Sequence, residues 1–466
     1  MVDTSLLRQA VPEGARRLCE RLVRSGYRGW VVGGCVRDQL LAELDPERAR
    51  GPGGDWDIAT DALPEEVCRL FRRVIPTGIQ HGTVTVLVGQ ESYEVTTLRA
   101  ESGYTDGRHP DEVRFVRRIE EDLGRRDFTI NAIAYDPLAD RLVDPFDGLE
   151  DLAEGRLRAV GDARQRFAED GLRVLRAARF VATLGVTLDP ATAEAIEPSL
   201  GSYQRVSPER IRDEWMKSLE ARAPSLAFEV MRGHGLLQIT APELVALVGC
   251  EQNRYHAFDV WQHTLGCLDR CPPQPLLRLG ALLHDLGKPR TRAIHPETGD
   301  YTFYDHERVG AEMADQLLLG LRFSNRERET VVGLVRHHLI VYDETWSDAA
   351  VRRWIRRVSP ERVSSLVALG RADVAAKGRD VTEELANLDA LERHVERVLG
   401  AEGALTLRDL EVNGHDLMQE LGIGPGPELG RLLHALLELV TDDPSANQRD
   451  VLLGRARALH DGGRDS

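Results

Sequence analysis

Lysine is nearly absent from this 466-residue chain: Lys217, Lys288 and Lys377 stand against 57 arginines. A skew of that size reflects GC-rich coding before it reflects phosphate recognition, so arginine clusters are discounted as markers of nucleic-acid contact. Positive charge is in overall deficit. A formal net charge of -16 excludes a protein that coats itself in nucleic acid indiscriminately, although a local basic strip can still hold an RNA. The six cysteines (Cys19, Cys35, Cys68, Cys250, Cys267, Cys271) form no C-x-x-C pair, which excludes a disulfide framework and a zinc ribbon and fits a reducing compartment. No apolar run approaches the roughly 20 residues that span a bilayer. Asp3, Arg8 and Glu13 interrupt the segment where a signal peptide needs an apolar core. The expectation is a cytoplasmic protein without a membrane partner, long enough for three or four modules.

What is present begins with a glycine turn and a pair of carboxylates. Gly29-Trp30-Val31-Val32 reads as a strand running into Gly33-Gly34-Cys35-Val36-Arg37-Asp38, where backbone without Cβ can approach a phosphate closely. Asp55-Trp56-Asp57 follows. On a strand, side chains at i and i+2 share a face, so both aspartates can serve one metal site. Two Mg²⁺ ions about 3.5 to 4 Å apart activate a hydroxyl, steady a leaving pyrophosphate and neutralise charge on the α-phosphorus, so the pattern suits nucleotidyl transfer. Asp55 and Asp57 are the expected catalytic metal ligands; the competing reading is a solvated loop pair. Gly34 would leave N–H groups facing a triphosphate, and Arg37 would clamp its oxygens. Asp38 either orients Arg37 or caps the next helix. Glu94 is either a third carboxylate or an exposed strand residue, the second reading being preferred.

From Tyr27 to about Tyr135, β-like runs alternate with loops, predicting a small mixed α/β domain. After Asp144-Pro145-Phe146-Asp147-Gly148 helical periodicity takes over. Breaks near Asp189-Pro190, Ser207-Pro208, Cys271-Pro272-Pro273 and Gly424-Pro425-Gly426-Pro427 divide the helical part. The predicted class is α+β, with a mixed head over 1–150, an all-α neck over 151–245, a histidine-rich helical segment over 246–400 and a helical tail over 401–466.

In order, Gly33 to Asp38, Asp55-Trp56-Asp57-Ile58-Ala59-Thr60, Arg125-Arg126-Asp127-Phe128-Thr129-Ile130-Asn131-Ala132, Asp144 to Gly148, and Glu169-Asp170-Gly171-Leu172-Arg173-Val174-Leu175-Arg176-Ala177-Ala178-Arg179-Phe180 form one set. Over residues 27 to about 220 it strongly resembles the class II tRNA nucleotidyltransferase/poly(A) polymerase family. The resemblance implies a polymerase-β-like head, tRNA as partner, CTP and ATP as substrates, Mg²⁺ in the head, and no nucleic-acid template and no DNA. Asp127 suits a hydrogen bond from a ribose 2′-OH, and Arg126 a phosphate or base. Asp170 and Arg173, at i and i+3 of a helix predicted from Glu169 to Phe180, would be neighbours matching a Watson-Crick edge. In the family this pair chooses CTP or ATP, with Arg176 and Arg179 lining the same pocket. The plain alternative is an intrahelical ion pair worth about 0.2–0.5 kcal/mol. Leu98 to Pro110 resembles the flexible loop that lets members switch from C to A, which argues against a CC-only enzyme. CCA addition leads, with A-only addition or poly(A) synthesis as alternatives.

His263, then His284-Asp285, then Asp373 resemble the H…HD…D metal ligands of the HD phosphohydrolase superfamily, implying a divalent metal of undefined identity. Leu276 to Leu286 reads as a buried apolar helix with His284 and Asp285 in its last turn. An adjacent His-Asp pair there is expensive unless metal or hydrogen bonds satisfy it. His306 and His337-His338 would add ligands or phosphate contacts. The implied activity is hydrolysis of 2′,3′-cyclic phosphates or 2′-phosphates. Two rival readings make this segment the main activity beside a nucleotide-sensing head, or make the whole chain a non-catalytic tRNA-binding protein. Ser207-Pro208 opens a neck helix, the arginine-rich stretch 156–179 could touch RNA phosphates, and the tail is expected at the tRNA elbow.

Overall fold

The computed structural model describes residues 4–48, 55–79, 82–102, 112–400 and 406–462. The chain divides into two compact units, Met1–Val245 and Ala246–Ser466. Among the described residues no helix is long and apolar enough to cross a membrane.

The first unit opens on helices Ser5–Ala10 and Glu13–Arg24, and its head carries nine strands among the described residues: β1 Gly29–Val32, β2 Asp57–Thr60, β3 Val74–Gly78, β4 Thr83–Val88, β5 Glu91–Thr97, β6 Arg99–Ser102, β7 Glu112–Phe115, β8 Ala134–Asp136 and β9 Arg141–Val143. Seven form one sheet in the order β3-β4-β5-β2-β1-β8-β9, and β6 and β7 pair separately. Only β2 and β5 run parallel within the large sheet; its other pairs are antiparallel. β2 therefore lies at the sheet's centre, and its first residue, Asp57, pairs with Val32, the last residue of β1. Alternation decides what each face buries. Trp30, Val32, Ala59, Leu98, Ile119, Leu123 and Ala134 pack together on one side, while Val31 and Ile58 are fully buried on the other. Near the end of the β-like stretch, a short 3-10 turn at Thr129–Asn131 precedes β8.

The rest of this unit is helical apart from a two-residue parallel ladder, β10 Arg156–Leu157 with β11 Thr187–Leu188, which the all-helical expectation missed. The helix predicted from Glu169 to Phe180 does not exist as one piece. Ala163–Glu169 ends before Asp170, whose backbone is extended, and Leu172–Leu184 begins after Gly171. A Cβ at Gly171 would come 2.3 Å from the Ser202 carbonyl oxygen, so the chain turns here through a gap only glycine fits. Pro208–Leu219 packs against Leu172–Leu184 and starts with proline in its first turn, as read; the Ser207 hydroxyl makes no capping bond.

The second unit carries helices Val260–Arg270, Pro275–Leu283, His306–Gly320, Asn325–His337, Asp348–Val358, Val363–Ala375 and Thr382–Gly400, and a small antiparallel ladder, β12 Ala293–Ile294 with β13 Tyr301–Thr302. Leu277, Ala281, Leu334, Ile355, Leu366 and Leu391 belong to its main core. A second core forms among Gly414–Leu421, Pro427–Asp442 and Arg449–Gly462. Arg352 and Arg353 tie these to the larger bundle by bonds to the Thr441 carbonyl (2.9 Å) and Asp442 (2.5 Å).

Candidate active site and metal centre

The sheet register brings the glycine turn to the carboxylates. Gly33 has φ 90°, and a Cβ there would stand 3.1 Å from Asp57 Oδ2. The positive φ favours glycine, and the missing Cβ leaves room for the Asp57 carboxylate. Helix Gly34–Leu44 starts from this turn. Of the two roles open to Asp38, the structure has the first: Asp38 Oδ1 accepts from Arg37 Nε at 2.8 Å. Arg37 Nη1 donates to Asn131 Oδ1 at 2.6 Å, so the guanidinium is fixed in place.

Asp55 is exposed and Asp57 half-buried. The β2–β5 pairing of Ile58 with Val95 puts Glu94 beside Asp57, although Glu94 itself is solvent-exposed. Burial, then the charges of Glu94 and Asp55, outweigh Arg126 and push the Asp57 carboxyl up to about 6. Three carboxylates with too little positive charge around them form a donor set that suits a hard divalent cation.

A cavity of about 520 Å³ opens beside Gly33 and Gly34, lined by Arg37, Arg126, Asp127, Asp170, Arg173, Arg176, Arg179, Phe180 and Arg210 among others. All eight residues expected at the nucleotide thus share one cavity, but their pairing differs from the reading. The side chains of Asp170 and Arg173 do not pair with each other, although Arg173 N donates to the Asp170 carbonyl at 3.0 Å, because Asp170 lies just outside the helix. Asp170 takes both terminal nitrogens of Arg210, at 3.1 and 2.7 Å. Arg173 donates to Glu169 Oε2 at 2.8 Å and to the carbonyls of Arg166 and Arg125 at 3.1 and 3.0 Å. Asp127 accepts from Arg176 Nε at 2.8 Å and Asn131 Nδ2 at 3.0 Å. Burial would raise its carboxyl, but Arg176 and Asn131 outweigh that and hold it well below the usual carboxylate range. Arg179 donates to buried Glu214 at 2.5 Å and stacks over Phe180 at 4.0 Å from the ring centroid; Arg37 and Arg176 flank the same ring. The arginine-rich stretch read as an RNA strip is mostly turned inward: Arg156 and Arg158 meet Asp151, Arg166 and Arg173 meet Glu169, Arg176 meets Asp127 and Arg179 meets Glu214. The loop expected over Leu98 to Pro110 is described only as far as Ser102, within β6; Gly103 to Pro110 lie outside the described residues.

In the second unit, His263, His284 and Asp373 converge, and Asp285, His306 and His338 converge beside them. The apolar helix stops at Leu283, so His284 caps it and Asp285 lies beyond, one turn earlier than read. Asp285 joins the two groups. Its Oδ2 lies 3.1 Å from His284 Nε2 and 3.7 Å from His263 Nε2, and its Oδ1 lies 3.5 Å from His306 Nε2 and 3.9 Å from His338 Nε2. Backbone carbonyls sit against the opposite ring nitrogens: Ala281 at His284 Nδ1, Phe303 at His306 Nδ1 and Val335 at His338 Nδ1, each 2.7 Å away. With those Nδ1 atoms turned to the backbone, the Nε2 atoms face the centre, where His306 Nε2 and His338 Nε2 lie 3.3 Å apart. His263 Nε2, His284 Nε2 and both Asp285 oxygens are buried without a well-directed hydrogen bond, even though Lys288 Nζ stands 2.7 Å from Oδ2. Buried imidazole nitrogens and carboxylate oxygens converging at one point fit a bound cation. Without one, protons redistribute: burial lowers His284, but Asp285 and Asp373 outweigh it and raise it to about 9, while burial and His284 press His338 down to about 3. His337 is half-buried and belongs to neither group.

Sequence reasoning missed Arg210, Glu214 and Glu169 in the first unit and His256 in the second. His256 stacks edge-on against His263 at 5.0 Å and lines a cavity of about 570 Å³ with Asp285, Lys288, Tyr304 and His306. The one local signal was the spacing of Arg210 and Glu214, i and i+4 on a helix face with Glu214 buried.

Three family models match in chain order: the poly A polymerase head domain over residues 29–158, a probable RNA and SrmB-binding site of polymerase A over 185–247, and an HD domain over 255–393. The CCA-adding enzyme of Lactiplantibacillus plantarum is 32% identical over 449 residues, covering 96% of this chain and 97% of its own length. That of Leuconostoc citreum is 34% identical over 447 residues, covering 96% of each. The crystal structure of the Bacillus stearothermophilus CCA-adding enzyme in complex with CTP superposes with a TM-score of 0.71 at 27% identity, covering 97% of this chain and 98% of that one. End-to-end likeness of this kind, over a head with paired carboxylates beside an arginine-lined cavity, carries the assignment. The chain belongs to the CCA-adding enzymes, the tRNA nucleotidyltransferases with a poly(A) polymerase-type head, and carries an HD domain behind it.

Proposed function

We propose that this enzyme rebuilds the 3′-terminal CCA of tRNA in the cytoplasm, using CTP and ATP with Mg²⁺ held by Asp55 and Asp57. The observation that carries the reading is Asp57 at the sheet centre, crowded by Glu94 and Asp55 and touching the glycine turn that borders the cavity. Glu94 is the third carboxylate of the set. Bound there, Mg²⁺ supplies Lewis acidity to the attacking 3′-hydroxyl and the leaving pyrophosphate. The chain's own groups do the positioning. Gly34 and Arg37 hold the triphosphate, Arg126 adds charge beside it, and Asp127 accepts from the ribose 2′-OH. Asp170 and Arg173 read the base, with Arg176 and Arg179 as the wall of its pocket. Acceptor and donor reach one Watson-Crick edge from either side of the Gly171 turn rather than from one helical face. The working division is a head over 1–150, a neck over 151–245, an HD domain over 246–400 and a tail over 401–466 that engages tRNA.

A second activity is favoured by one specific observation, the cage of buried acceptors around Asp285. His263, His284, Asp285 and Asp373 hold a divalent metal, joined by His306 and His338, and the site hydrolyses 2′,3′-cyclic phosphates or 2′-phosphates.

The deciding experiment offers purified enzyme two tRNA transcripts, one lacking CCA and one ending in CC, with labelled CTP or ATP and Mg²⁺. Addition of C, C and A to the first is expected. Extension of the CC-ended transcript alone, by a single A, would replace the reading with A-only addition.

A further inference from the structure

Arg210 enters the base-reading pocket from a different helix and takes hold of Asp170. A carboxylate offers about four acceptor positions. Asp170 Oδ1 accepts from Leu172 N at 3.0 Å and Arg210 Nη1 at 3.1 Å, and Oδ2 accepts from Arg210 Nη2 at 2.7 Å. One position is left, on Oδ2. The two-pronged contact also fixes the plane of the carboxylate, which a single bond would leave free to turn. One turn further along the helix that carries Arg210, Glu214 accepts from Arg179 at 2.5 Å, which ties that helix to the one carrying Arg173. Arg173, across the pocket, has both hydrogens of Nη1 and one of Nη2 committed to Glu169 and backbone carbonyls. Both readers are therefore locked by neighbours before any nucleotide arrives.

We propose that Arg210 is a specificity-determining residue, one that leaves Asp170 a single, fixed acceptor and so admits bases with an exocyclic amino group while turning away bases with a carbonyl there. Cytosine and adenine present an N–H₂ donor at that position; uracil and guanine present an oxygen. An oxygen against the remaining Asp170 position leaves two acceptors facing each other with no proton between them, which is the arrangement that gives strong rejection. Arg210 does not touch the reacting atoms. It acts through Asp170, and the inference rests on the assignment of Asp170 as a base reader.

The test compares wild type, Arg210→Gln, Arg210→Lys and Asp170→Asn on a tRNA transcript lacking CCA, with the ratio of kcat/KM for CTP over UTP as readout. Arg210→Gln is expected to lower that ratio about tenfold, the scale of one charge-assisted hydrogen bond. Arg210→Lys, which keeps the charge but not the fork, should recover part of it. A structural role alone would lower turnover and thermal midpoint and leave the ratio in place. An unchanged ratio in Arg210→Gln beside a lowered one in Asp170→Asn overturns the role of Arg210. An unchanged ratio in Asp170→Asn removes the base-reading assignment beneath it. Should Arg210→Gln not fold, Arg210→Lys decides, since a wild-type ratio there overturns the proposal.

Discussion

The nucleotide pocket and the HD centre solve opposite problems with the same kinds of side chain. In the pocket, five arginines meet carboxylates or carbonyls in definite pairs: Arg37 with Asp38, Arg173 with Glu169, Arg176 with Asp127, Arg179 with Glu214 and Arg210 with Asp170. In the HD centre, Asp285 has both oxygens buried without a well-directed bond, and two of the histidines around it have an idle Nε2. The first region is organised without its ligand. A pocket that must bind a polyanion in one pose gains from guanidinium groups that are already oriented, since less freedom is lost on binding. The second turns imidazole nitrogens and carboxylate oxygens on one another, His263 Nε2 lying 2.9 Å from Asp373 Oδ1 and His306 Nε2 3.3 Å from His338 Nε2, the kind of cluster that suits a cation. The carboxylates at Asp57 fall between the two, crowded like the HD cage but open to solvent through Asp55 and Glu94.

That contrast can be broken by experiment, most severely at Asp57. Replacing Asp55 or Asp57 by alanine should lower incorporation by on the order of 10³-fold, several kcal/mol of transition-state stabilisation, while tRNA binding in a filter or gel-shift assay stays near wild type. Near-normal turnover in Asp57→Ala would mean the metal is held elsewhere. Next, the HD cage should respond to metal where the pocket does not. Titrating the metal-stripped enzyme with Mn²⁺ or Ni²⁺ to about 100 times Kd should stabilise the second unit by about 2.7 kcal/mol, read as a rise in thermal midpoint. His284→Ala and Asp285→Ala should lose that rise. A rise that survives both changes would place the metal at another site.

The smallest expected effect is in pH. A proton bound to Asp57 up to about pH 6 competes with the cation, so the Mg²⁺ concentration needed for half-maximal incorporation should climb about tenfold per unit below that value. The sign for stability is the reverse of the usual carboxylate case. Because the folded carboxyl holds its proton to higher pH than the unfolded one, the metal-free head loses stability as pH rises from the ordinary carboxylate range through about 6. Glu214 behaves in the ordinary way: burial raises it, but Arg179 and Arg176 outweigh that and hold it low, so its contribution is present at neutral pH and fades in acid. A Mg²⁺ requirement that does not change between pH 5 and 7 would remove Asp57 from the metal site.

Legibility in the sequence followed distance along the chain. Gly33, Arg37 and Asp38 could be read locally because a glycine turn opening a helix places its own first side chains, and Asp38 indeed meets the residue next to it. Asp170 and Arg173 were misread because helical spacing was extended across Gly171, where the backbone turns away from the helix. Arg210 was missed for a different reason: its partner Asp170 lies 40 residues earlier, and Glu214 reaches Arg179 across 35. The candidate HD ligands were picked out by their order along the chain, yet that order did not show that His338 joins the cluster while its neighbour His337 does not.

By itself the sequence determined the mixed head followed by helices, a candidate set of metal and phosphate residues, and the family to which the chain belongs, because periodicity, turn chemistry and motif order are properties of neighbouring residues. Only the tertiary structure decided which charge meets which. It set Glu94 beside Asp57 through strand register, Arg210 on Asp170 through the packing of two helices, and Asp285 between two groups of histidines. Salt-bridge and ligand partners are chosen by proximity in three dimensions, where a buried charge must find a counter-charge, and no local spacing encodes that choice.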